Sequence, residues 1–297
     1  MLLIGTTQGL HDLDSGEELV NGRAVTALAV GGEGWHALLD RRFVVGAHHP
    51  ELPDADGQSL AVLSNGAVVV GRTGARLATF DADGGVHDIA AFEKVPGRDD
   101  WENPANPTPD TRTMSAGPKR WWVNVHVGGV WWSDDAGETW NGAVEPHTDV
   151  HEVRAGNDGR VAVAAAVGFG WTADGESWSW TTEGLHAHYL RAVALDGDTT
   201  FVSASDGPFT RHGAVYRSRS GGAFVRCETG LPAKFDGNVD SGTLDAAGSR
   251  VAFGFEDRVY LSEDEGETWR EAAILPAPIT AVRFVQGARG EQAPGIP

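Results

Sequence analysis

The sequence predicts an all-β fold: one seven-bladed β-propeller of four-stranded antiparallel blades spanning residues 1–297. Its C-terminal strand closes the first blade. Three observations carry this. A turn motif recurs as "WWSDDAGETW" (Trp131–Trp140), "TADGESW" (Thr172–Trp178) and "YLSEDEGETW" (Tyr260–Trp269), with a degraded copy, "SRSGGAF" (Ser218–Phe224). The closing aromatics Trp140, Trp178, Phe224 and Trp269 are spaced 38, 46 and 45 residues apart, the period of a four-stranded propeller blade. Short apolar runs of period two lie between the turns, and no long stretch has the 3.6-residue period of a helix.

The inner strands follow in order as "VTALAV", "SLAVLS", "TRTMSA", "VHEVRA", "LRAVAL" and "SGTLDA". The chain begins on "LLIGTT", which reads as a second strand, and ends its strand pattern with "ITAVRFV" (Ile279–Val285). Pairing 279–285 with the strands of 2–20 makes the seventh blade and removes the open edges of the ring. Six or eight blades are the alternatives. The insertion 93–112, "EKVPGRDDWENPANPTPDTR", is the longest segment without strand pattern and leads into an inner strand. Segments of that length are often binding loops or lids.

Composition narrows the function classes. The 297 residues carry a formal charge of −19. That field repels phosphate backbones and anionic membranes, so neither nucleic acid nor membrane is expected as a partner. No apolar run approaches the roughly 18 residues of a membrane helix. The opening "MLLIGTTQGL" reads as a strand rather than a signal peptide. A single cysteine, Cys227, reads as a buried thiol of a cytoplasmic protein.

The recurring turn has a physical job. Asp135, Asp174 and Asp264 can accept backbone N–H groups across the bend, and the glycine that follows permits positive φ. Thr139, Ser177 and Thr268 add a hydroxyl, and the closing Trp packs between blades. At these residues the chain resembles the BNR, or Asp-box, repeat propellers of the sialidase-like superfamily. The resemblance implies that the boxes lie on the face away from the substrate. Sialidases of that group use an arginine triad, a Tyr–Glu nucleophile pair and an Asp acid/base. Their Arg-Ile-Pro signature is missing here, so sialidase activity is not expected. Tyr216 and Tyr260 fall in strands before the turns, where packing is their expected role. Tyr189 lies near the expected pocket, but no partnered Glu can be named.

Candidate chemistry sits on the opposite face, in the loops that lead into inner strands and those that join second to third strands. "EPHTDVHEV" places His147, Asp149 and His151 at alternate positions, which share one side of an extended strand. "GLHAHYLRAV" repeats the theme with His186 and His188. His126 comes from a second loop set. His147, Asp149, His186 and His188 are candidate acid/base groups. His126, His147, His151, His186 and His188 are candidate ligands of a divalent metal such as zinc, iron, manganese or copper. Arg41, Arg72, Arg112, Trp101, Tyr189 and Asp240 are candidate substrate contacts, Arg for an anion and an exposed Trp101 for a sugar ring. His48 and His49 fall on a turn of the other face. Two function classes follow. One is a hydrolase or lyase of glycosidase-like type on a small polar or glycan-like substrate. The other is a non-catalytic scaffold for a ligand or protein partner, similar to the photosystem II assembly factors that share this repeat.

Overall fold

A computed structural model describes residues 1–31, 34–46, 50–81, 83–101 and 108–285. Seven antiparallel sheets follow one another along the chain. The first joins Ile279–Phe284 to Leu2–Thr6, Gly9–Asp12 and Glu17–Asn21. Leu2 pairs with Phe284 and Thr6 with Ile279, so the predicted closure by the C-terminal strand is present. The second blade holds Val25–Gly31, Gly34–Leu39 and Phe43–Val45, extended by a single bridge from Phe43 to Glu51. His48 and His49 lie outside the described residues. The inner strands of the remaining blades are Gly57–Val62, Thr111–Ala116, Val150–Ala155, Val193–Asp196 and Leu244–Ala247.

Seven apolar clusters hold the ring, and each lies between neighbouring blades. Ala29, Leu38 and Val44 of the second blade meet Leu60, Val62 and Val70 of the third. Leu2, Ile4 and Val282 of the first meet Ala252, Val259 and Leu261 of the seventh. The strands pack on both faces, so period-two runs such as Val161–Ala165 are buried throughout. An ion pair adds to the closing joint: Arg250 donates to both oxygens of Asp14, at 2.9 and 2.5 Å.

The recurring turns at Asp135 and Asp264 share one bonding pattern. Asp135 accepts the backbone N–H of Thr139 at 2.9 Å and its hydroxyl at 2.5 Å; Asp264 accepts those of Thr268 at 2.9 and 2.6 Å. Gly137 stands at φ 95°, and a Cβ there would come within 2.9 Å of Ile89. Only glycine fits that close approach. Trp140 and Trp269 donate their indole N–H to the glycine carbonyl of their own turn, at 3.0 and 3.1 Å, whereas the buried indole N–H of Trp178 has no partner among the described residues. Trp269 then packs between blades against Phe253.

Candidate functional site

The site is built where the inner strands of the fourth to seventh blades begin. The short 3-10 helical turn Pro146–Thr148 precedes the fifth inner strand, and Asp149 follows it in the left-handed region, φ 52° and ψ 61°. That conformation breaks the strand alternation expected of His147, Asp149 and His151. His147 is exposed on the turn, apart from the other two. Asp149 turns inward, where its two oxygens lie 3.5 Å from Nε2 of His126 and 3.5 Å from Nε2 of His151. These imidazoles hold the Asp149 carboxyl far below its ordinary range, His126 first and then His151.

His151 is 1 % exposed. Its Nδ1 donates to the Leu190 carbonyl, and its ring packs 4.6 Å from that of Tyr189. His126 comes from the loop between Val125 and Gly129 and is more open. Tyr189 and Arg191 arrive from the segment leading into the sixth inner strand. Arg191 donates from Nη1 to Asp240 at 3.0 and 3.1 Å and from Nη2 to the Tyr189 hydroxyl at 3.4 Å. Its buried Nε has no hydrogen-bond partner among the described residues.

Arg112 completes the group. It is partly buried, and among the described residues it makes no ion pair or hydrogen bond. Burial lowers its pKa below the usual arginine value; nearby Arg191 adds to this, while Asp240 and Asp149 oppose it. An unpaired, desolvated guanidinium is costly, and it is the kind of group that an anion completes.

Below the mouth the axis is crossed by side chains. Ser241 donates to the carbonyls of Arg191 and His151, at 2.9 and 3.1 Å, tying the seventh blade to the fifth. Glu152 is 1 % exposed and accepts from Arg154 at 2.8 Å and from the backbone of Val193 and Gly242. Arg283 donates to the Gly242 carbonyl, and burial lowers its guanidinium to about 10. The mouth is therefore floored by a ring of polar groups.

The other predicted residues lie elsewhere. His186 bonds the Tyr216 hydroxyl at 2.7 Å through Nδ1 and the His212 carbonyl at 2.9 Å through Nε2, so neither nitrogen is free for a metal. His188 is exposed. Among the described residues no group of three or more His, Cys, Asp or Glu side chains is arranged to hold a metal ion. Arg41 spends its guanidinium on the Gly57 carbonyl and the Thr73 hydroxyl. Arg72 is buried against Asp56 and Asp88. Trp101 is not exposed: at 4 % it packs with Phe92 and Trp131. The described ends of the 93–112 insertion are pinned by such contacts and by Arg98, which donates to the Gly74 and Ala75 carbonyls.

Sequence reading missed Arg191, Ser241 and the enclosed charges Glu152, Arg154 and Arg283. One signal was present. "VRA", "LRA" and "VRF" place an arginine on the inner segments of three blades, where a neutral core residue is the norm. A separate cavity of about 290 Å³ lies beside the turn that holds Asp135, lined by Asn65, Lys119, Trp121 and Asp134, and none of the predicted site residues lines it. No helix among the described residues is long and apolar enough to cross a membrane.

Comparisons with known proteins support the fold. No family model and no curated protein sequence matches the chain. It is similar to the GH74 xyloglucanase from Xanthomonas campestris at 14% identity and TM-score 0.67, covering 92% of this chain and 52% of the xyloglucanase. The chain thus spans about half the length of that enzyme. It is similar to YCF48 from Cyanidioschyzon merolae, at 14% identity and TM-score 0.63, covering 88% of this chain and 89% of that one. It is also similar to YCF48 bound to D1 peptide, at 14% identity and TM-score 0.59, over 91% of this chain and 84% of the other. At such identities the likeness shows a shared fold alone, and a fold of this kind does not fix a function.

Proposed function

We propose that the axial mouth binds a small anionic, sugar-like ligand, its carboxylate received by Arg112 beside Arg191. The observation that carries this is Arg112 itself, a desolvated cation with no partner among the described residues. Arg72, also buried, is by contrast fully occupied by carboxylates. The reading is of a hydrolase or lyase that works without a cluster of metal-binding histidines. The repeated bonding of Asp135, Asp174 and Asp264 supports grouping the chain with Asp-box propellers, and the lone buried Cys227 fits a reducing cytoplasm.

The test is a thermal-shift and calorimetric panel of galacturonate, glucuronate and gluconate against galactose and glucose. Acids are expected to bind and neutral sugars not, with binding lost in Arg112→Gln. Equal responses to acid and neutral sugar, or an unchanged Arg112→Gln, would end the proposal.

A second reading, a protein-binding scaffold, draws on one observation. Phe209 is 98% exposed, yet its loop is fixed by Asn238, which donates to the Gly207 and Pro208 carbonyls at 3.2 Å each. Rigid, exposed aromatics are common anchors of protein contacts. Peptides with free and amidated C termini, assayed on wild type and Phe209→Ala, separate this reading from the first.

A further inference from the structure

We infer that His126 is the base that removes the hydrogen from the carbon bearing the carboxylate held at Arg112. The inference rests on the anion-binding reading above and adds a reaction to it.

The argument is one of nitrogen bookkeeping. A carboxylate can only accept. His126 turns Nε2 toward Asp149 Oδ1 at 3.5 Å, so in the neutral ring the hydrogen belongs on Nε2. The lone pair is then on Nδ1, and no hydrogen bond to Nδ1 occurs among the described residues. The distance is long for a hydrogen bond, as is common for acid–base groups before a ligand tightens the site. The other imidazoles lack this arrangement. His151 has Nδ1 committed to Leu190 and is 1 % exposed. His186 has both nitrogens committed. His147 and His188 are exposed, and neither pairs with a carboxylate among the described residues. His126 combines an orienting carboxylate, a free nitrogen and 20 % exposure at the mouth.

Arg112 supplies what the chemistry then needs. A hydrogen beside a carboxylate is removed only when the charge that develops on the carboxylate oxygens is stabilised. The C–H bond breaks, and its proton goes to His126 Nδ1. The electron pair moves into the carboxylate as an enediolate facing the Arg112 guanidinium. The proton, or a deuteron from solvent, can return to the carbon. Where the next carbon carries a leaving oxygen, the pair instead forms a double bond, and the oxygen departs with its bonding electrons and takes up a proton. No oxidant, reductant or metal enters the balance. The ligand class is a uronic acid or a uronate-containing glycan. Asp149 is a positioning residue that acts through His126.

The experiment uses the whole chain in D2O with galacturonate and with polygalacturonate, followed by proton NMR. The expected result is loss of the C5 hydrogen signal of galacturonate, or appearance of an unsaturated product from the polymer. His126→Gln should slow this by about 100-fold or more while the thermal shift caused by galacturonate is retained. Asp149→Asn should lower the rate with little change in binding, which a purely structural role would not do. If galacturonate binds but neither exchange nor elimination occurs, this inference is overturned and the binding reading stands. Exchange at wild-type rate in a folded His126→Gln also overturns it. If no acid binds, both fall.

Discussion

Arg154 donates from Nε to Glu152 Oε1 at 2.8 Å within the axis of the ring, and Glu152 is 1 % exposed. Removing one partner of a buried pair leaves a desolvated charge behind. Arg154→Met is therefore expected to cost about 3–5 kcal/mol. The double variant Arg154→Met with Glu152→Gln should recover most of that loss. Urea unfolding of the single and double variants checks it.

The buried Arg72 and the partly buried Arg112 should respond in opposite directions. Arg72→Ala strips Asp56 and Asp88 of their bonds at 3.0 Å and should destabilise by about 2 kcal/mol. Arg112→Gln removes a cation without a partner among the described residues and should raise the melting temperature by about 2 °C. Thermal melts of the two variants, side by side, decide whether Arg112 is held for binding rather than for stability.

The recurring turns at Asp135 and Asp264 predict acid sensitivity. Thr139 and Thr268 hold the carboxyls of Asp135 and Asp264 down at about 2. A depressed folded pKa gives stability that is present above the unfolded value of about 4 and lost as pH falls through the folded one. These groups are largely open to solvent, so each contributes less than about 1 kcal/mol. Melting temperature should fall between roughly pH 4 and pH 2. Asp135→Asn should flatten that fall in a pH series.

Cys227 is 6% exposed, and burial pushes its thiol up to about 11. A protonated, enclosed thiol reacts slowly. A disulfide reagent should modify the native chain at a rate set by unfolding, and modify it at once in concentrated urea.

The blade count was legible because the closing aromatics Trp140, Trp178, Phe224 and Trp269 repeat at blade spacing and each turn contains its own hydrogen bonds. The site was only half legible. Alternation groups Asp149 correctly with His151, and the loop reading adds His126. It fails at His147, because the turn Pro146–Thr148 and the left-handed Asp149 interrupt the strand. Trp101 reads as exposed because nothing in "RDDWENP" reveals that Phe92 and Trp131 cover it. Arg191 is hidden for another reason. An arginine in a strand motif announces itself only when the tertiary fold brings Asp240 against it.

The first blade draws its innermost strand from Ile279–Phe284 and the rest from Leu2–Asn21. During synthesis, then, Leu2–Thr6, wholly enclosed in the finished ring, must wait with one flank bare until the last sheet has emerged. A waiting apolar flank is a template for mispairing between nascent chains. Crowded polysomes, more than heat, are thus the circumstance in which this propeller is most exposed to failure.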